Sequence, residues 1–388
     1  MFDASSFLLK YNALKATALE NRYITNAHIE PLITSLTKRF SQIILGTSEG
    51  GLPIHAIQIG TGSKRILIWS QMHGNESTTT KAIFDLFNYF DSSDSKELLE
   101  ACTLFIIPIL NPDGAKAYTR LNKNQIDLNR DAKDLTQSES KLLRSTFESF
   151  KPHFCFNMHG QRTIFSAGDT PNSAVLSFLS PSENDQRSIT ITRQKSMEII
   201  QVMNKTLQPY LPNQIARYDD GFNDNCVGDY FQSCGTPTIL FEAGHFPKDY
   251  TREVSRKYMA LALISAIDYI ANSTISGADY KPYFDIPEND KQFYDIIVRN
   301  ALIDPSKPTC FDDIAIQYTE LLVSGEVIFK PKIVLLGDLN NKHGHKEIDA
   351  VFKSVTHPDF KTLSKGNEID FIAVKNVKIS LFINNILI

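Results

Sequence analysis

Cysteine is scarce in this chain of 388 residues: five in all, at 102, 155, 226, 234 and 310, and no two of them form a CxxC pair. An odd count without paired spacing makes a poor disulfide framework, so reduced thiols and a cytoplasmic setting are expected. Long hydrophobic runs are missing as well. The longest, Thr103 to Leu110, falls far short of the ~20 residues that a membrane-spanning helix requires. The opening MFDASSFLLKYNALK has an Asp ahead of its only apolar cluster and no basic stretch, so it does not read as a secretory signal. No dense basic stripe exists: 40 Lys and Arg stand against 44 Asp and Glu, for a net charge of -4. A phosphate-backbone partner is thereby excluded, and neither nucleic acid nor membrane is expected to bind. Internal repeats and low-complexity segments are absent too.

What is present is ordinary globular material, with 42% apolar, 22% charged and 10% aromatic residues, enough for a large core. At ~150 residues per domain, the length suggests two domains, or one large α/β domain with an appendage. His28 to Phe40 carries a helical stripe at Ile29, Leu32, Ile33 and Leu36, with the Asn26-Ala27 pair before it as a cap. Gly46 to Leu52 is turn chemistry between 42–45 and 54–59, which predicts an antiparallel hairpin. Four nearly continuous apolar runs follow, at 65–70, 104–110, 154–158 and 238–241, separated by helical patterns over 78–90, 138–150 and 190–207. Such runs are central strands buried on both faces, so the expected fold is α/β with a mixed, largely parallel sheet flanked by helices. A long amphipathic helix over 251–270 precedes a boundary at Ala271 to Gly277. Beyond it, Lys291 to Leu302 reads as a helix, followed by short alternating segments at 326–333, 369–374 and 377–383. The expected organisation is therefore a catalytic domain over 1–275 and, over 280–388, a helix plus a small β-rich domain.

The sharpest chemical signal is His73-Gly74-Asn75-Glu76, three residues beyond the first apolar strand and opening the next helix. A loop His and a first-turn Glu three positions apart converge on one point, and both suit Zn, which in catalytic sites commonly takes two His and one Glu. Taken alone, HxxE reads first as a surface His beside a helix-start Glu that satisfies the macrodipole. Architecture alters that balance. In open α/β sheets ligands bind beyond the carboxyl ends of the strands. Asn111-Pro112-Asp113-Gly114, His159 and Glu242 each follow a strand at that same rim. His159 is the natural third ligand, giving one Zn per chain with an open coordination position.

These residues resemble the zinc carboxypeptidase family. The similar pieces are Gly46 to Ile54, the HGNE box at 73–76, NPDG at 111–114, Arg120 with Asp127-Leu128-Asn129-Arg130, the strand ending in His159, and Phe241-Glu242-Ala243-Gly244. The resemblance implies a Zn site at His73, Glu76 and His159, and a catalytic Glu242. The chemistry supports the same role for Glu242: an acid ending an apolar strand faces desolvation unless something binds it, and a carboxylate beside a metal can act as general base. By resemblance, Arg120 is the arginine that meets the developing oxyanion, and Asn129 and Arg130 grip the substrate's terminal carboxylate. Asp127 is expected to accept a hydrogen bond from the outer nitrogen of His73. Tyr218 stands where the family supplies a substrate-binding tyrosine, with Phe222 and Tyr230 as competitors. Asp229, with Gly228, occupies the stretch that shapes the side-chain pocket in relatives.

Other residues read as bland. Gln161 and Arg162 either line the cleft or anchor a loop, His245 is structural, His343 and His345 sit in a polar turn, and Cys226 and Cys234 are buried thiols. The resemblance thus implies a zinc metallocarboxypeptidase acting on a peptide. Two rival readings are a zinc-dependent N-acyl amino acid deacylase, similar to aspartoacylase and succinylglutamate desuccinylase through a loose likeness at 355–371, and a catalytically inactive zinc- or peptide-binding module. The oligomeric state is not legible.

Overall fold

A computed structural model describes residues 2–360, 362–375 and 377–383. The chain forms two compact units, one running through Gln161 and from Ala174 to Asn289, the other comprising Arg162–Ser173 and the chain from Asp290. The first unit opens with helices α1 (Ala4–Leu14) and α2 (Asn26–Ser35), then the hairpin strands β1 (Ser41–Thr47) and β2 (Pro53–Ile59). Next come β3 (Lys64–Ser70), α3 (Thr78–Phe90), α4 (Lys96–Ala101), β4 (Cys102–Ile107), α5 (Pro112–Ala117), α6 (Ser138–Phe150) and β5 (Phe154–Gly160). Past β6 (Phe165–Ala167), which belongs to the second unit, follow β7 (Leu176–Leu179), α7 (Ile191–Leu207), β8 (Ile215–Arg217), α8 (Val227–Ser233), β9 (Thr238–Ala243) and α9 (Glu253–Asn272).

Eight strands make one mixed sheet in the order β1-β2-β4-β3-β5-β9-β7-β8. Its centre, β4-β3-β5-β9, is parallel, while the hairpin edge and the β9–β7 pair are antiparallel. The apolar run of β3 shows why the centre is continuous hydrophobic sequence. Ile66 and Ile68 enter the core layer beneath α3, α7 and α9, and Leu67 and Trp69 enter the layer beneath α6 and α8. Side chains alternate across a strand, so a strand covered on both faces has no polar side. Among the described residues, no helix is long and apolar enough to cross a membrane.

The first unit continues past the boundary expected at Ala271 to Gly277, because Tyr283 and Ile286 are buried in its core. The second unit contains a six-stranded sheet of β11 (Phe293–Leu302), β12 (Asp312–Val323), β13 (Glu326–Gly337), β14 (His343–Thr356), β15 (Phe371–Val374) and β16 (Val377–Ser380), after the short β10 (Asn289–Lys291). The helix expected over Lys291 to Leu302 is corrected to strand β11. Its Ile296-Ile297-Val298 run sends Ile296 and Val298 to one cluster and Ile297 to another, a period of two that β-branched side chains favour. The polar turn expected at His343 and His345 is corrected as well: both open β14, and the His345 ring stacks on Phe293 at 4.6 Å.

An ionic network fixes the outer layer of the first unit. Asp85 on α3 and Arg256 on α9 are fully buried, with Arg256 Nη2 2.6 Å from Asp85 Oδ1 and Nε 2.8 Å from Oδ2. Tyr11 Oη donates to the same carboxylate at 2.6 Å, and Arg256 also reaches the carbonyls of Ala16 and Leu19. One carboxylate therefore ties α1 and the loop after it to two core helices. Breaking a buried pair leaves an uncompensated charge, so Asp85→Ala should lower the unfolding free energy by about 3–5 kcal/mol. Urea denaturation checks this, and a loss below about 1 kcal/mol, the range of an exposed pair, would refute it.

Candidate metal and substrate site

Packing brings the site loops together at the carboxyl rim of the parallel strands. The HGNE loop leaves β3, and the NPDG turn after β4 packs directly against it. A Cβ on Gly74 would lie 1.9 Å from the Gly114 carbonyl carbon, and one on Gly114 would lie 2.4 Å from Asn111 Nδ2. Only glycine permits this backbone-to-backbone approach. Asn111 then locks the turn: its Oδ1 accepts from Gly114 N at 2.8 Å, and its Nδ2 donates to the carbonyl of Met72, next to His73, at 3.1 Å. Strand register does the rest, since His159 on β5 pairs directly with Glu242 on β9.

Three donors meet at this point. His73 Nδ1 lies 2.9 Å from Glu76 Oε1, His159 Nδ1 lies 3.0 Å from Glu76 Oε2, and the two Nδ1 atoms stand 3.1 Å apart. His73 Nε2 faces Asp127 Oδ1 at 3.1 Å. If it donates there, Nδ1 carries the ring's lone pair. Two imidazole nitrogens this close, both facing a carboxylate, call for a cation between them, and the ligand set suits Zn. Burial opposes ionisation of Glu76, but His73 and the bond to His159 outweigh it and hold the carboxyl well below the usual range. Burial pushes the His159 ring down to about 4, against the pull of Glu76.

Asp127 organises the next layer. It caps the short 3-10 turn Leu128–Arg130, with Oδ1 accepting from Asn129 N at 2.9 Å. Its Oδ2 accepts from Arg120 Nε and Nη2 at 3.0 and 2.9 Å, leaving Arg120 Nη1 3.1 Å from His73 Nδ1. Asn129 Oδ1 receives Val227 N at 3.1 Å and the Cys226 thiol at 3.4 Å, so its amide nitrogen is the end left to donate elsewhere. Arg130 is exposed, with Nη1 on the Asn129 carbonyl at 2.6 Å.

A cleft of about 300 Å³ gathers His73, Arg120, Asn129, Arg130, His159, Tyr218, Asp229 and Glu242 on its walls. Glu242 is only 9% exposed, and its Oε2 has no hydrogen-bond partner among the described residues. Burial first, and the charge of Glu76 second, push its carboxyl well above the ordinary range. Asp229 accepts from Ser182 N and Asn223 N at 3.1 and 3.0 Å, and burial pushes it up to about 7.

All ten residues singled out from the sequence except Glu76 and Asp127 line the cleft, and those two bind its lining residues. Glu76 is not in a helical first turn. Its backbone N–H closes a turn on the His73 carbonyl at 3.1 Å, two residues before α3 begins. Of the aromatic competitors, Tyr218 lines the cleft, whereas Tyr230 lies under the Arg144 guanidinium at 3.8 Å. Gln161 anchors its loop, bonding to Ala174 O and Asn289. The two thiols read as buried are corrected: Cys226 is half-buried and lines the cleft, and Cys234 is exposed. Sequence reasoning missed Asn157 and Leu240, which sit two residues before His159 and Glu242 and so share their face; the period of a strand was the available signal.

Residues 26–215 match the family described as zinc carboxypeptidase. The chain is 28% identical over 167 residues to carboxypeptidase SOL1 of Arabidopsis thaliana, an alignment covering 37% of this chain and 34% of that protein. It is 28% identical over 101 residues to carboxypeptidase 2 of Trichophyton rubrum, covering 25% and 19%. The chain thus spans about a third or less of the length of these curated relatives. A solved structure from Shewanella denitrificans, named for carboxypeptidase A, is 18% identical with a TM-score of 0.50, covering 63% of this chain and 68% of that one, a likeness of fold.

The convergence of the three donors makes a direct prediction. His159→Ala should abolish stoichiometric zinc, and Asp127→Asn, which weakens the partner of His73, should lower affinity by ~10–100-fold. Competition titration with a chelating dye measures both. Full zinc retention in His159→Ala would remove that residue from the ligand set.

Proposed function

We propose that this chain, whose residues 26–215 match the zinc carboxypeptidase family, is a zinc-dependent peptidase that hydrolyses the C-terminal peptide bond of a peptide. One observation carries the reading: the donor atoms of His73, Glu76 and His159 lie within 4.8 Å of one another, with Glu242 beside them as the register partner of His159. Zinc held by these residues would polarise the scissile carbonyl and make water acidic enough to attack near neutral pH. Glu242 takes the proton from that water and passes it to the departing amine. A buried carboxyl with an unpaired oxygen, in register with His159, is placed to accept that proton. Arg120, held in orientation by two bonds to Asp127, supplies positive charge to the developing oxyanion. Asn129 turns its amide donor, and Arg130 its guanidinium, toward a terminal carboxylate. Tyr218 and Asp229 complete the wall around the residue to be released.

Glu242→Gln keeps the shape and removes the proton acceptor, so kcat should fall by at least ~10²-fold while zinc stays bound. Near-normal turnover would exclude Glu242 as the base.

The grip on a free carboxylate separates an exopeptidase from other hydrolases. A charge-assisted bidentate contact contributes a few kcal/mol, so an amidated peptide should be cleaved at least ~100-fold less efficiently than its free-acid twin. Arg130→Ala should erase most of that difference. Mass analysis of products from both peptides, alongside N-acyl amino acids, makes the comparison. Equal cleavage of acid and amide by the native protein would refute the exopeptidase assignment, and preferred hydrolysis of the N-acyl amino acids would replace it with the deacylase.

A further inference from the structure

The cleft has a second rung below the chemical one. On β5 and β9, His159 pairs with Glu242, and two residues earlier Asn157 pairs with Leu240. Alternation puts both rungs on the same face, about 6.6 Å apart along the strands. The upper rung holds the groups assigned to zinc and to the proton; the lower one holds an amide and an apolar side chain, and both line the cleft. Asn157 is 1% exposed, and its Oδ1 has no hydrogen-bond partner among the described residues. An amide oxygen buried on a central strand without a partner is costly and is rarely kept without a use. Across from it stands Gly228, where a Cβ would lie 3.1 Å from Pro181 Cγ and 3.9 Å from the Asn157 amide nitrogen. The missing side chain leaves the amide open on that side.

Resting on the carboxypeptidase reading, we propose that the lower rung receives the side chain of the released residue, and that Asn157 selects one that is polar and uncharged, an amide or a hydroxyl. The chemistry around the amide favours a neutral group over an ion. Leu179, Pro181 and Leu240 make apolar walls. Arg120 is bound to Asp127, and Arg130 to the Asn129 carbonyl, so neither cation is spent on Asn157. Apart from Glu242, assigned to the proton, the buried acid on the wall is Asp229, which already takes a backbone N–H on each oxygen, and burial pushes it up to about 7, which makes it a poor standing counterion for a basic side chain. A hydroxyl or amide answers the unpaired oxygen without bringing in a charge, and an apolar side chain of the same shape leaves it unanswered.

The test uses the zinc-loaded chain of 388 residues and peptides identical except for the last residue, in pairs of similar shape: Asn against Leu, Gln against Met, Thr against Val. In parallel, calorimetry measures binding of the corresponding free amino acids to the Glu242→Gln protein, a readout that needs no turnover. We expect the polar member of each pair to lead by at least ~10-fold in kcat/KM and in Kd, the scale of one unanswered buried polar group, and Asn157→Leu to erase or reverse the order. Apolar members equal to or ahead of their polar twins in the native protein would overturn the proposal, as would preference for Lys or Arg, which would make Asp229 the selecting group. The native comparison stands even if Asn157→Leu does not fold. Should no peptide be cleaved, the peptidase reading fails while amino-acid binding still decides: polar selectivity upholds the lower rung, and its absence overturns it.

Discussion

Everything at the site leans on the carboxylate of Asp127. One oxygen faces His73 Nε2 and the N–H of Asn129, and the other takes two bonds from Arg120. The side chain thereby sets the tautomer and tilt of a metal-ligand candidate, the aim of a guanidinium and the turn that presents Asn129 and Arg130. Burial acts to raise its pKa, but His73 and Arg120 more than reverse this and hold it well below the usual range. It is therefore held as an anion beside His73 and Arg120. A short sequence box, DLNR, is compact because one residue coordinates three jobs and its neighbours are delivered by a single 3-10 turn.

The sheet supplies what Asp127 cannot, a ruler. Parallel pairing of β5 with β9 places His159 opposite Glu242, and a slip of one strand by one residue would put the two side chains on opposite faces of the sheet. Register is protected by burial on the other face, where Phe156, Met158, Ile239 and Phe241 enter the same core as α7 and α9. The helices are held in turn by the Asp85–Arg256 pair. Stability and chemistry are thus coupled through strand register, although the ionic network lies on the opposite side of the sheet from the cleft.

Much of this was legible beforehand because its causes are local. Continuous apolar runs declared the buried strands, and α3 and α6 begin and end where the 3.6-residue period says. Site residues were readable where a motif compresses geometry into spacing, as in HGNE and DLNR. Failures arose where tertiary context decides. Residues 291–302 have apolar spacing compatible with a helix, and only pairing with β12 and β14 makes them a strand. Glu76 could not be known as a turn residue, because the turn depends on Gly74 meeting Gly114, a contact between segments forty residues apart in sequence. The extent of the first unit was hidden for a similar reason: Tyr283 and Ile286 follow a loop-like stretch yet return to the core.

The same tertiary logic explains why the site tolerates so much buried acid. Glu76, Asp127 and Glu242 crowd one rim, and Arg120 is the cation that reaches the donor cluster at hydrogen-bond distance, with most of its fork committed to Asp127. Glu76 is held ionised by His73 and the bond to His159, so the remaining cost falls on Glu242, whose carboxyl burial and Glu76 together drive upward. In a protein built for stability alone this glutamate would be replaced by an apolar residue, as its neighbours Phe241 and Ala243 are. Its place at the end of β9, in register with His159, fits a site whose charge balance is completed by a divalent cation, which would relieve that cost and favour the ionised carboxylate that the proposed base requires.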